Sequence, residues 1–142
     1  MNVQLLAAEA ARERVVITPA LDKALAALDA ELESLAPELQ VEYIGPGVGV
    51  EGKEDVYRLV VRPHEWAIHE PSWSLKVCDA LPNADWRAAW AVQGVSRARK
   101  AEVVRKLPEF MREYAERIRE AGKAETAAGR RVQELAAALS AR

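Results

Sequence analysis

The chain of 142 residues has one cysteine, two histidines and one phenylalanine. A single cysteine, Cys78, excludes a disulfide framework and cannot complete a zinc site by itself. No stretch approaches the roughly 18 consecutive apolar residues of a transmembrane helix. Acidic Glu9 interrupts the N-terminal segment too early for a signal peptide. These absences predict a cytoplasmic protein without a membrane partner.

What remains is the composition of a folded globular domain. Half of the residues are hydrophobic and 30% are charged, which argues against a disordered chain. The length fits one domain, which we expect to span residues 1–142. The net charge of −2 conceals an uneven distribution, because residues 85–142 carry a net +5 and the first 84 residues a net −7. Such a split often accompanies binding of a polyanion to the basic half, although attraction between the two halves explains it as well.

Helical patterns begin the chain. Residues 3–15 are strong helix formers. Thr18 followed by Pro19 is a helix start signal, because Thr18 can cap and Pro19 suits the first helical position. A leucine then recurs every three or four residues from Leu21 to Leu35, which predicts one apolar face on a helix that ends at Pro37.

Helical patterns also close the chain. A second apolar face is predicted by residues that recur every three or four positions: Val103, Leu107, Phe110, Tyr114 and Ile118. Pro108 predicts a kink or a break near Leu107, Gly122 is expected to end this helix, and a last helix is expected over 125–140. The two apolar faces exceed what a small sheet can cover, so we expect a homo-oligomer.

Between the helices the pattern changes to that of strands. Residues 39–45, 55–62 and 73–81 are rich in β-branched and aromatic residues and partly alternate. The glycine-rich segment 45–54 joins two of these strands and lacks the ending of a phosphate loop, so we interpret it as a hairpin connection. The order of elements predicts an α+β fold, with N-terminal and C-terminal helices packed on a small three-stranded antiparallel sheet.

Tryptophan, histidine and cysteine concentrate between residues 64 and 90. The spacing of His64, His69 and Cys78 matches no standard metal site, and no nucleophile–base or acid–base pair stands out. We therefore expect no metal, no cofactor and no catalytic residue, and we favour a non-enzymatic function. Trp86 and Trp90 share one face of a predicted helix over 84–92, where they either anchor the core or, if exposed, stack on a base or hold a partner protein.

The strongest functional signal is the basic stretch 93–106. Ser96 can cap a helix whose first turn holds Arg97, Arg99 and Lys100, where cations oppose the helix dipole. A bound phosphate or carboxylate would remove this cost by accepting hydrogen bonds from the arginines and from free backbone N–H groups. The alternative is an ion pair with an acidic residue of the N-terminal half, and the residues alone leave both open.

The same stretch resembles the helix-turn-helix of bacterial repressors. The matches lie in the turn, at the start of the recognition helix and at two later apolar positions: Gly94, Val95, Ser96, Arg97, Ala98, Ala101 and Val104. Trp90 and Gln93 depart from the pattern, since small or apolar residues are usual there. The resemblance implies DNA binding by a bacterial or phage protein, whereas a pI near 5.8 is low for a DNA-binding domain.

Two functions are consistent with these patterns. The favoured one is a non-enzymatic binding domain for a phosphate-bearing ligand, either nucleic acid or a nucleotide. Its predicted ligand-binding residues are Ser96, Arg97, Arg99, Lys100, Trp86 and Trp90. The alternative is a protein–protein interaction module, an adaptor or an inhibitor, that self-associates through its amphipathic helices.

Overall fold

Four helices dominate the structure. The computed structural model describes residues 3–47, 58–62, 65–69 and 97–140. These ranges contain the helices α1 (Val3–Ala10), α2 (Pro19–Leu39), α3 (Arg97–Glu120) and α4 (Ala127–Ser140). They also contain three strands of five residues each, which pair antiparallel in the order β1-β2-β3: β1 (Tyr43–Gly47), β2 (Arg58–Arg62) and β3 (Glu65–His69).

The core is made by helices that pack on one another. α3 packs on α4, α1 packs on the other three helices, and α2 also contacts α4. Apolar side chains from all four helices form one buried cluster, in which Phe110 and Tyr114 of α3 are among the largest fully buried members. The strands add Tyr43 and Val61 to this cluster. They form a small ribbon whose outer strands lie against α3 and α2.

The predicted α+β fold class is wrong. It placed the helices on a three-stranded sheet, whereas the described part of the chain is mainly helical and buries helix against helix. The physical reason is that α2, α3 and α4 each carry an apolar stripe, and such stripes bury one another without a sheet. The predicted strand 73–81, with Cys78, lies outside the described residues. The expectation of one domain over 1–142 stays a prediction.

The predicted start of α2 is confirmed. Thr18 has an extended backbone, and its hydroxyl oxygen accepts a hydrogen bond from the backbone N–H of Leu21 at 3.1 Å. Pro19 is the first helical residue. This cap satisfies one of the backbone donors that every helix start leaves without a partner.

Two helix ends differ from the prediction. α1 ends at Ala10 instead of residue 15, because the chain leaves the helix to bury Val15 in the core. α2 continues through Pro37 to Leu39, whose fully buried side chain anchors the last turn. Burial of one apolar side chain outweighs the local helix propensity in both places.

Near Pro108 the sequence predicts a kink or a break, and the structure shows no break, because α3 continues through the proline. The proline removes one backbone hydrogen bond, but Leu107 and Phe110 beside it are fully buried and hold both halves of the helix against the core. Gly122 follows the end of α3, as predicted, and has a φ of 76°. That left-handed conformation favours glycine after a helix.

Both predicted apolar faces are buried within this one chain. The leucines of α2 are at most 9% exposed, and the stripe from Val103 to Ile118 is completely buried. Among the side chains that the structure describes, Val16 is the one large hydrophobic side chain that is exposed. The expected homo-oligomer stays a prediction, but these two faces cannot carry it.

One ion pair ties α4 to the middle of α2. Arg131 donates to both carboxylate oxygens of Glu31, with a distance of 3.0 Å from its terminal NH2 nitrogen (Nη2) to Oε1. Arg131 also donates to Glu134 on its own helix at 3.2 Å. The hydrogen bond from Arg131 holds the pKa of Glu31 below its ordinary value. A carboxylate held in this way stabilises the fold only while it is ionised.

This pair predicts a contribution to stability that is lost in acid. Because the folded-state pKa of Glu31 is lowered, the contribution is complete above the ordinary value of 4.5 and is lost as the pH falls through the lowered pKa. We expect Glu31→Gln to lower the free energy of unfolding by about 1 kcal/mol at neutral pH. In urea titrations the deficit should shrink as the pH is lowered below 4.5. Glu33→Gln, at an exposed position of the same helix, is the matched control.

Candidate functional site

The predicted ligand-binding residues fall into two groups. Ser96, Trp86 and Trp90 lie outside the described residues, and so do the predicted helix 84–92 and the turn of the repressor-like motif. Arg97, Arg99 and Lys100 form the first turn of α3. Arg97 is exposed, whereas Lys100 is partly buried.

Lys100 does not extend into solvent. Its Nζ lies 2.7 Å from Oδ1 of Asp22, in the first turn of α2. The Lys100 side chain is 15% exposed and that of Asp22 is 48% exposed. For Lys100 the structure therefore selects the alternative in which a basic residue pairs with the acidic N-terminal half. The two partners are 78 residues apart in sequence, so no local pattern could have identified Asp22.

A second lysine joins the same two helices at their other end. Lys123, just beyond α3, donates from Nζ to the backbone carbonyl of Leu39, the last residue of α2, at 2.6 Å. The first turns of α2 and α3 thus lie at one end of the molecule and their last turns at the other. The two helices therefore run in the same direction. We call the end formed by residues 18–23 and 97–100 the N-terminal pole.

The N-terminal pole concentrates positive charge. Each helix start contributes the positive end of its macrodipole. Asp22 is the acidic residue in the first turn of α2, and the first turn of α3 has none. Lys100 already neutralises Asp22, while Lys23 and Arg97 are exposed and have no ion pair among the described residues. The surface is therefore electrostatically suited to an anion.

The rest of the basic stretch is not a continuous cationic surface. Arg105 lies 3.8 Å from Glu102 on the same helix, at the limit of an ion pair. Lys106 is partly buried. Among the described side chains of the first turn, Arg97 is therefore the cation open to a ligand, a smaller set than residues 93–106.

A cluster of tyrosines at the contact between β1 and α3 was not predicted. The Tyr43 hydroxyl donates to Oε2 of Glu113, and the Arg117 guanidinium lies 5.8 Å from the centroid of the Tyr43 ring. The rings of Tyr43 and Tyr114 stack with centroids 6.5 Å apart. The spacing of Phe110, Tyr114 and Arg117 places them on one face of α3. It could not identify Tyr43, their partner in β1, because that residue is distant in the chain.

The Tyr114 hydroxyl contributes to packing in this cluster. It is buried and has no hydrogen-bond partner among the described residues. Burial raises the pKa of Tyr114 well above its ordinary value, so the hydroxyl is protonated at physiological pH.

Metal-site geometry, membrane-spanning helices and similarity to known proteins give no functional assignment. The described residues contain no group of three or more histidine, cysteine or acidic side chains arranged to hold a metal ion. No helix in the same part of the chain is both long and apolar enough to cross a membrane. Comparison of the chain with protein-family models, curated proteins and solved structures finds no match.

The ion pair at the N-terminal pole predicts a measurable coupling. We expect Lys100→Met and Asp22→Asn each to lower the free energy of unfolding, and a double-mutant cycle to give a coupling energy of about 1 kcal/mol. We expect a coupling energy of this size because Lys100 is partly buried, whereas a fully exposed ion pair contributes less to stability. The matched control is the exposed pair Glu125–Arg130, for which urea denaturation should show little coupling. A coupling near zero for Lys100 and Asp22 would contradict the structural role of the pair.

The tyrosine cluster predicts opposite effects for two similar substitutions. Tyr114→Phe removes a buried hydroxyl that lacks a partner and should raise the free energy of unfolding by about 1 kcal/mol. Tyr43→Phe removes the hydrogen bond to Glu113 and should lower it by about 1 kcal/mol. Urea denaturation followed by circular dichroism compares the two. Destabilisation by Tyr114→Phe would show that its hydroxyl has a partner.

Proposed function

We propose that this chain is a non-enzymatic binding domain that holds a phosphate-bearing ligand at the N-terminal pole. The observation that carries the proposal is the bond between Lys100 and Asp22, because it brings two helix starts together and cancels the acidic charge of Asp22. Arg97 and Lys23 then face solvent beside two dipole ends that favour an anion.

Arg97 is the main ligand-binding residue in this proposal. It lies one helical turn before Lys100 and is exposed to solvent. Its guanidinium can donate two parallel hydrogen bonds to a phosphate group. Lys100 acts as a positioning residue, since it aligns the two helices without contacting the ligand.

Nucleic acid is favoured over a compact nucleotide by the resemblance of 94–104 to the helix-turn-helix of bacterial repressors. A repeated phosphate backbone can be contacted by an exposed cation such as Arg97, whereas a nucleotide is normally enclosed by a pocket.

The proposal predicts that Arg97→Ala weakens binding without unfolding the protein. Loss of one charge-assisted contact should lower the affinity roughly ten- to a hundredfold. The thermal midpoint should stay the same or rise slightly, because a cation is removed from a helix start. Fluorescence anisotropy with labelled single-stranded DNA, duplex DNA and ATP, at low and at physiological salt, measures the affinity and identifies the ligand class.

The matched control is Arg130→Ala, at an exposed arginine of α4 away from the N-terminal pole. It should leave the affinity within about twofold of the wild type. Equal losses in Arg97→Ala and Arg130→Ala would indicate unspecific attraction to the whole protein. Absence of binding by the wild type to all three probes would overturn the proposal.

A further inference from the structure

A second surface of α3 carries charges of alternating sign. Six residues recur at steps of three and four along the helix, and every neighbour in the series has the opposite charge: Glu102, Arg105, Glu109, Arg112, Glu116 and Arg119. Steps of three and four place residues on one face of a helix. We call this set the charged stripe.

The charged stripe lies on the side of α3 opposite the core. The buried stripe from Val103 to Ile118 occupies the other side of the helix. Two shallow grooves of about 290 and 420 Å³ run beside the charged stripe and meet at Arg112 and Ser140. Alanines of α1, α3 and α4 line much of both grooves. Small side chains beside the stripe allow another helix to approach closely.

The centre of the charged stripe has no ion pair among the residues that the structure describes. Glu116 and Arg119 form an ion pair at 2.9 Å near one end, and Glu102 and Arg105 lie 3.8 Å apart near the other. Glu109 and Arg112 have no ion pair among the described residues, although they stand three positions apart. Two opposite charges at the middle of the stripe are therefore open to a partner.

The order of charges is complementary to itself. If two copies of α3 lie antiparallel about a two-fold axis at the level of Phe110 and Met111, Glu109 of each copy faces Arg112 of the other. The same symmetry sets Arg105 against Glu116 and Glu102 against Arg119. All six charges of each copy then face an opposite charge, and a two-fold axis makes every such pair twice. Most other registers set like charges against each other, which disfavours them.

We propose that a second copy of this chain binds to the charged stripe and forms an antiparallel, two-fold symmetric dimer. Two observations favour a second copy as the partner. The charges of the stripe complement one another across a two-fold axis, and Glu109 and Arg112 at its centre have no ion pair among the described residues. The dimer does not depend on the ligand at the N-terminal pole. Exposed ion pairs contribute little each, so the dimer is weak and sensitive to salt.

Charge reversal at the centre of the stripe tests this proposal directly. Arg112→Glu sets Glu109 against a glutamate and should weaken the dimer at least tenfold, and Glu109→Arg should do the same by opposing two arginines. An equimolar mixture of these two variants should dimerise again, because each then faces the opposite charge in the other. The double variant E109R/R112E should also dimerise. Sedimentation equilibrium at about 0.05 M and about 0.5 M NaCl measures each dissociation constant, and the wild-type dimer should dissociate at the higher salt.

The matched control is Arg130→Glu, at an exposed arginine of α4 outside the stripe, which should leave the dimer intact. Circular dichroism of each variant confirms that it is folded, and restoration in the mixture excludes a folding defect as the cause of dissociation. A wild type that is monomeric at every concentration would overturn the proposal. So would a dimer that survives Arg112→Glu, or a mixture that stays monomeric. Binding of a short single-stranded oligonucleotide by Arg112→Glu separates the two proposals, since one pole suffices for it and it should persist even where the dimer is lost.

Discussion

The bond between Lys100 and Asp22 joins the first turns of the two longest helices, whose parallel arrangement governs the electrostatics of the molecule. Lys100 and Lys123 attach α3 to the two ends of α2, so the helices run in the same direction. Parallel helices place like dipole ends together, which is unfavourable unless each end finds opposite charge. At the C-terminal end this requirement is met, because Lys123 binds the last carbonyl of α2 and α3 ends with Arg117 and Arg119. At the N-terminal end Asp22 could meet it, but its charge is already shared with Lys100. A bound anion would complete the balance there.

α3 contributes to the core, to the N-terminal pole and to the charged stripe with different parts of its surface. Its apolar side builds the core with Phe110 and Tyr114, and its first turn contributes Arg97 to the N-terminal pole. The outer side holds the alternating charges, and those charges need not weaken the helix, because residues three and four apart can pair along it. One helix can contribute to all three because its apolar side, its outer side and its first turn are separate surfaces. The strength of its core contacts also explains why Pro108 does not interrupt it.

Local signals in the sequence predicted what local chemistry decides. The cap at Thr18, the apolar faces of α2 and α3, and the glycine after α3 depend on residues within a few positions of one another, and all are found. The fold class was wrong because strand-like segments suggested a sheet as the supporting layer, whereas the helices bury one another. The ion pair of Lys100 and the hydrogen bond of Tyr43 join residues 78 and 70 positions apart. Such partners depend on how the helices pack, which neither periodicity nor spacing determines.

The two proposed surfaces are compatible in their geometry. Arg97 lies about 13 residues from the proposed two-fold axis, or about 20 Å at the rise of an α-helix. An antiparallel dimer therefore places its two N-terminal poles about 40 Å apart, slightly more than one turn of B-form DNA. Two poles at that separation can contact phosphates of one duplex, and each weak contact then raises the effective concentration of the other. The overall negative charge of the chain opposes such binding at long range, so the attraction has to come from the poles themselves. The three acidic and three basic residues of each charged stripe cancel one another, so the dimer interface carries no net charge. The proposed dimer leaves both poles exposed.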